Sequence, residues 1–440
     1  MPQIGEAVLP RVESDDERAL RRRTLTLTLL TATYFFSYMD RSILWVLMED
    51  IKREMLLSDT QLGLLSGLAF AIFYATLGIP VAWLADRYNR RNIIAVALAL
   101  WSGMTALCGL AGNFSQLLAA RIGVGVGEAG SSPPSHSIIA DLYPPQKRAS
   151  AMAIYSLGVT VGAGAGTIIG GTLAFYFDWR TAFLAVGIPG VILAIFVFLF
   201  AVEPRRGLSD ADQVMADKTP SIADGFRSLW STPAARHLVL GVTLTSLIGY
   251  GLTSWGPPYY IRSFGLDTRQ IGLILAPILM IAGIIGVVGG GRLADWCAGR
   301  WGLHAQSYMV AILKTMALPF LFGLYLFGDV YFALGCYFVA LLFQSCYLGP
   351  TFALLQGLAP LQMRAVWAAI TLLVINLIGL GLGPTTIGIL SDLFEPRFGD
   401  ESLRYALLCG ASLTPWAIFH YWRAGVLLKR KQEAAAGTPA

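Results

Sequence analysis

Asp40 and Arg41 stand side by side in an apolar run from about Thr24 to Met48, and Arg121 and Glu128 stand seven residues apart in another. A run of that length crosses a bilayer, where a charge at the centre costs roughly 2.5–3.5 kcal/mol on insertion scales. Four such charges require partners or a wet cavity, and ionisable residues so placed mark ion and substrate routes. Seven residues make about two helical turns, so Arg121 and Glu128 share a face about 10 Å apart. Asp40 and Arg41 point about 100° apart, so only one of them squarely faces a given neighbouring helix. With all four ionised the charges cancel, and a proton on one acid leaves a net positive charge that suits an anion. If the two carboxylates lie within about 6 Å, at an effective dielectric near 20 they repel by ~3 kcal/mol, and one is expected to carry a proton. The competing reading is a permanent salt bridge tying the first span to the fourth.

The elements that position these groups are membrane helices. Of the 440 residues, 55% are apolar and 13% charged, against about a quarter charged in soluble domains. Apolar runs of the roughly 20 residues that cross hydrocarbon recur near 24–48, 61–85, 92–112, 114–140, 150–176, 180–202, 236–263, 269–295, 306–328, 330–358, 364–393 and 403–428. This predicts an all-α polytopic membrane protein of about twelve spans, since a β-barrel would show short alternating strands. Arg21 to Arg23, the Asp86-to-Arg91 loop, Lys147-Arg148, Arg205-Arg206, Arg292 with Arg300, and Lys429 to Lys431 fall on one side. That bias places both termini in the cytoplasm, and no cleavable signal is expected from the acids and arginines before the first span. The net charge of +5 serves orientation and contact with anionic lipid rather than nucleic acid. Five cysteines, at 108, 297, 336, 346 and 409, lack metal or disulfide spacing and read as small packing residues. Gly125-x-Gly127-x-x-Gly130 matches a dinucleotide fingerprint formally, but no strand precedes it. Without a nucleophile–base set, metal cluster or nucleotide loop, no enzyme activity and no cofactor are expected.

One long polar stretch, 204–235, divides the chain into an expected N-terminal half (1–203), a linker, a C-terminal half (236–428) and a tail (429–440). The halves match in sequence. Gln61-Leu62-Gly63-Leu64 corresponds to Gln270-Ile271-Gly272-Leu273, and Ala82-Trp83-Leu84-Ala85-Asp86 to Gly291-Arg292-Leu293-Ala294-Asp295, both at an offset of 209 residues. Pro144-x-x-x-Arg148-Ala149 and Pro360-x-x-x-Arg364-Ala365 continue the register at 216. Parallel six-span repeats predict a pseudo-two-fold axis along the membrane normal.

Asp86-Arg87-Tyr88-Asn89-Arg90-Arg91 resembles the signature after the second helix of major facilitator superfamily transporters, with Ala82 and Asn89 where glycine is usual. Tyr38-Met39-Asp40-Arg41, Val126-Gly127-Glu128-Ala129-Gly130, Ile139-Ala140-Asp141-Leu142-Tyr143 and Glu203-Pro204-Arg205-Arg206-Gly207 resemble the superfamily's Spinster branch. The resemblance implies a compact carrier of the cell inner membrane, alternating between two open states, with a lysolipid or sphingoid phosphate as cargo. A small organic acid carried with protons is the alternative cargo; a non-transporting sensor or scramblase is the alternative class. Protons, membrane lipids and an anionic substrate are the expected partners, and a monomer the expected state.

Within that frame Asp40 and Glu128 are the expected proton carriers, and Arg41 and Arg121 the anion-binding or charge-balancing cations. Asp86, Arg87, Arg90, Arg91, Arg148 and Asp295 are expected to gate the cytoplasmic end, with Asp86 meeting a helix N-terminus or Arg148. Tyr250, Trp255 and Tyr259, in a segment rich in glycine and proline, are the outer-gate candidates, against an interfacial aromatic belt. The glycines of the fifth span (158, 162, 164, 166, 170, 171) and the eleventh (379, 381, 383, 388) predict close packing of those two helices along the interface. His136 is placed to relay a proton or simply to be hydrogen bonded, Gln344 and Asn376 to line a C-terminal wall or bond between helices, and Lys314 to snorkel to the cytoplasmic surface.

Overall fold

The computed structural model describes residues 15–209 and 221–436. The start of the expected N-terminal half (1–14), the middle of the linker (210–220) and the end of the tail (437–440) lie outside the described residues. A short helix, Asp15–Arg21, leads into the first span, Arg23–Met55. The second is broken (Asp59–Ser66, Leu68–Ala85), the third is Arg90–Cys108, the fourth is broken (Phe114–Glu128, Ser132–Leu142), and Pro145–Tyr176 and Trp179–Phe200 follow. After a linker helix, Ile222–Ser231, the seventh span is Pro233–Ser254 with Gly256–Phe264, and the eighth Thr268–Trp301. The ninth is His304–Leu326 and the tenth Val330–Gln344 with Leu348–Leu358. The eleventh, Arg364–Val374 and Gly383–Phe398, is joined by a π-helical stretch, Ile375–Leu382, and the twelfth is Ser402–Ala411 with Thr414–Ala436. No strand occurs among the described residues, and both described ends lie at the end of the bundle that carries the linker. We call that the linker end and its opposite the far end.

Nine helical stretches among the described residues are apolar and long enough to cross a membrane, the last covering the eleventh and twelfth spans together. The first and fourth spans, which carry Asp40, Arg41, Arg121 and Glu128, are not among them. The charges are thus concentrated where simple hydropathy is weakest.

The repeated Gln61 and Gln270 have a structural cause. Ser58 and Asp267 each accept a bond from the backbone of that glutamine, whose side chain reaches back to the cap, so both helices open with a capping box. Two of the four orphan N–H groups at each start are satisfied in this way. The second span breaks at Gly67, where the Thr385 hydroxyl donates to the Gly63 carbonyl at 3.0 Å across the seam.

Glycine sets how closely the spans approach. Along the fifth span Gly158, Gly162, Gly166 and Gly170 form a stripe against Thr31, Phe35, Met39 and Ile43 of the first, and a Cβ at Gly162 would sit 2.2 Å from the Phe35 carbonyl. In the fourth span, Gly125 meets the Phe70 backbone of the second and Gly127 the Trp101 backbone of the third. The fifth and eleventh spans do not pack on each other as expected. The fifth also touches the eighth, through Gly171 at Thr268 and Gly272 at Thr167, while the eleventh touches the second and seventh. Gly388 lies against Asp59, and Gly379 and Gly383 against Ser246 and Leu247. Small residues at i, i+4 spacing identify a close contact but carry no information about its partner.

Gly166→Val would push a side chain into the Met39 carbonyl, 2.5 Å from a Cβ at that position, whereas Gly78 has open space around it. The expected result is a loss of about 1–3 kcal/mol for Gly166→Val, read as a lower thermal midpoint in detergent, with Gly78→Ala close to the parent.

Candidate functional site

The stripe that seats the first span on the fifth leaves the opposite face, with Ser37, Asp40 and Arg41, turned towards the third and fourth spans. Arg41 is the member of the adjacent pair that meets the fourth span. Its Nη2 and Nε donate to Glu128 Oε2 at 2.6 and 2.9 Å, and the Ser37 hydroxyl donates to the same oxygen at 2.7 Å. The second oxygen, Oε1, is buried without a partner. The guanidinium lies over the rings of Tyr38, Phe70 and Tyr74 at 4.9, 4.7 and 4.7 Å, an aromatic cage that favours the cation.

Asp40 faces the third span instead. The Thr105 hydroxyl donates to its Oδ2 at 3.0 Å, Oδ1 has no partner, and the residue is 1% exposed. Arg121 donates to the Leu65 carbonyl at 3.3 Å, with one Nη unpartnered. The expected quartet is therefore one ion pair, Arg41 with Glu128, flanked by two buried charges held by neutral groups.

Below the pair a cavity of about 620 Å³ opens towards the linker end. Tyr34, Tyr74, Ala129 and His136 line one wall, and Ile370, Leu373 and Asn376 the other. His136 packs edge-on against Tyr155 at 5.3 Å, and Asn376 lies in the π-helical stretch of the eleventh span.

The far end is closed by a network to which no short motif points. Arg262 bonds Glu49 at 2.7 Å and both oxygens of Asp59 at 2.6 and 2.7 Å. Lys52 and Ser391 complete the Asp59 carboxylate at 2.6 Å each, and Asp392 accepts the backbone N–H groups of Asp59 and Thr60 at 2.9 and 2.7 Å. The lock joins the first and second spans to the seventh and eleventh. A basic residue past Pro257-Pro258 and acids flanking the first short far-end loop were the available signal.

Of the expected gate aromatics, Trp255 borders this lock, its ring 5.9 Å from the Arg262 guanidinium, and Tyr259 lies on the same short helix as Arg262. Trp255 is fully buried, its indole N–H on the Pro384 carbonyl at 2.8 Å, and the Tyr259 hydroxyl is spent on the Leu324 carbonyl at 2.9 Å, so both brace spans that follow the linker. Tyr250 lies near half-height, within electrostatic reach of Tyr38, Arg41 and Tyr347. At the linker end Asp86, Arg87 and Asp295 are exposed, consistent with an open end. Arg90 is buried and does not cross the seam: it bonds Asp141, Glu203, Ser137 and the Pro204 carbonyl, all of which precede the linker helix. Arg91 bonds its neighbour Asn92, and Arg148 donates to the Ala140 and Tyr143 carbonyls. Lys314 does not snorkel. It lies ten residues into the ninth helix, about 15 Å from its start, and donates to Gln344 Oε1 at 2.6 Å.

The chain matches the family model described as Major Facilitator Superfamily over residues 30–419. It is 33% identical over 419 residues to an MFS-type efflux pump of Mycolicibacterium smegmatis, covering 94% of this chain and 95% of that protein. A probable L-galactonate transporter of Escherichia coli K12 is 29% identical over 309 residues, 68% of this chain and 67% of that one. Among solved structures, a bacterial homologue of the human lysosomal transporter Spinster, inward-facing and unoccupied, superposes with a TM-score of 0.82 at 30% identity, covering 93% of this chain and 98% of that chain. The spans, their breaks and the Spinster-like motifs thus belong to one architecture.

Arg262→Ala leaves Glu49 and Asp59 without their guanidinium in a nearly buried setting. Breaking such a pair costs about 3 kcal/mol, roughly a hundredfold in the ratio of far-closed to far-open states. Electron-spin distance measurements between labels at the far ends of the second and eighth spans should show the longer-distance population growing in the variant.

Proposed function

The chain belongs to the Major Facilitator Superfamily, and on that premise we propose a Spinster-like, proton-coupled carrier of amphipathic anions. The observation that carries the reading is the unequal treatment of two buried carboxyls: Glu128 holds a cation, whereas Asp40 holds only a hydroxyl. A buried carboxyl without a cation is tolerated when neutral, so Asp40 is the group on which a proton rests. An anion entering the cavity competes with Glu128 for Arg41. Glu128 released from Arg41 would be a second unpaired acid, and a proton taken up there restores the balance. Anion binding and protonation are thereby coupled through one guanidinium.

The cavity supports an amphipathic cargo. Its walls are mostly tyrosine, alanine and aliphatic side chains, with Ser132, His136 and Asn376 as the polar groups. A sugar would need far more hydrogen-bond partners than these. The L-galactonate relative supports a second reading, a small organic acid, and both cargoes share an anionic group that Arg41 can hold. We place the linker end in the cytoplasm, on the strength of its clustered arginines and lysines. The state described is then inward-facing, sealed by Arg262 on the outside and opened by rocking of the two halves.

In proteoliposomes, an imposed proton gradient should change the parent's initial uptake of a lysolipid anion by about fivefold or more. Asp40→Asn and Glu128→Gln should each abolish that response, while Glu128→Gln still binds the anion. An unchanged gradient response in both variants overturns the coupling.

A further inference from the structure

Among the described residues two buried cations held by neutral groups, Arg121 and Lys314, take no part in the mechanism just described, and of these only Lys314 lies in the half that follows the linker. Lys314 is 1% exposed at half-height in the ninth span. Its ammonium has three donors; Gln344 Oε1 takes one at 2.6 Å, and the ring of Tyr347 lies 4.9 Å away. No carboxylate lies within ion-pair distance of it among the described residues, whereas Arg41, Arg90 and Arg262 each have one. Replacing a lone buried charge with an apolar chain of the same length costs a fold little or nothing. Packing the ninth span against the tenth therefore gives no reason for a lysine here.

Its two partners line a second cavity. Gln344 and Tyr347 border a space of about 150 Å³ that extends to Leu252, Leu324 and Tyr325 under the far-end lock. Apolar protein cavities of roughly that volume hold a ring or a short section of alkyl chain. The Tyr347 hydroxyl also meets Ser246 Oγ at 3.4 Å, and Tyr250 is within electrostatic reach of both Tyr347 and Arg41. Lys314 thus stands in the half that follows the linker, behind Gln344 and Tyr347 at the polar edge of a largely apolar pocket.

We propose that Lys314 is the anion anchor of the C-terminal wall: it receives the charged end of an amphipathic ligand, and the first section of the ligand's chain lies in the adjoining cavity. The proposal rests on the anionic-substrate reading above and adds where the charge is read. Binding requires Gln344 to swing from the ammonium, so the ligand's anionic group replaces a neutral acceptor with a charged one. The two walls then differ in kind. Arg41 already has a carboxylate and exchanges it, whereas Lys314 has none and gains one.

The test compares 1-oleoyl lysophosphatidate with 1-monoolein, which differ only in the phosphate, on the full chain in phosphatidylcholine nanodiscs. For Lys314→Met, lysophosphatidate affinity should fall by about tenfold or more, with monoolein affinity unchanged and Lys314→Arg close to the parent. Lys314→Gln carries the same comparison should the methionine variant not fold. If both probes weaken equally the lysine is structural, and if neither weakens the site is elsewhere; either result overturns the proposal. A parent that prefers lysophosphatidate while Lys314→Met keeps the preference rejects the anchor alone. A parent that does not distinguish the probes rejects the anionic reading itself, and the anchor with it.

Discussion

The contact between Arg41 and Glu128 governs how the first six spans are arranged. A buried ion pair returns its desolvation cost only when the geometry is close and the remaining polar atoms are served. Here closeness is achieved by removing side chains elsewhere. Glycines 158, 162, 166 and 170 let the first span lie on the fifth, while Gly125 and Gly127 let the fourth lie on the second and third. Met39, Asp40 and Arg41 are thereby fixed in rotation about the helix axis, and the choice of which charge meets Glu128 follows. Phe70, whose backbone abuts Gly125, also supplies one ring of the cage around Arg41.

The two ends of the molecule handle charge in opposite ways. At the far end Glu49, Lys52, Asp59, Arg262, Ser391 and Asp392 converge on one small volume, and glycine-to-backbone contacts seal the seam beside them. At the linker end the basic residues stand on separate elements: Arg90 is consumed in bracing its own half and Arg87 faces outward. Closing one end while leaving the other open is what a carrier needs if its central site is never to be reached from both sides at once. Backbone contacts as close as that of Gly388 with Asp59 leave little room for gradual deformation, and packed interfaces of this kind separate as a unit.

Much of this was legible in the residues, and the parts that were not share a cause. Twelve spans, the repeat and the site charges follow from local runs and spacing, and the capping boxes explain why Gln61 and Gln270 recur. Which of Asp40 and Arg41 meets Glu128 was not legible, since adjacent positions differ only by a rotation that distant glycines set. The far-end lock was hidden because its parts are far apart: Asp59 and Asp392 are 333 positions from each other. The glycine stripes were read as packing surfaces but assigned to the wrong neighbours, because a stripe of small residues records closeness without identity. Lys314 was misjudged through its distance from the surface, which only the helix start at His304 reveals.

Charge accounting links the centre to the seam. Among the described residues the charges buried near half-height are the cations Arg41, Arg121 and Lys314 and the acids Asp40 and Glu128, so with a proton resting on Asp40, as proposed, three cations face one ionised acid. An empty cavity leaves that excess uncompensated, held only by carbonyl, amide and ring dipoles. On the proposed reading a bound anion lowers that excess by one charge, and a proton moving with the anion restores it. The empty carrier and the carrier loaded with both therefore hold the same internal charge, and each can cross between its open states at similar electrostatic cost. A carrier holding the proton without the anion carries a larger excess, which makes it the species least suited to cross. Tight coupling can arise in this way from the composition of the interior, without a dedicated device to prevent slippage.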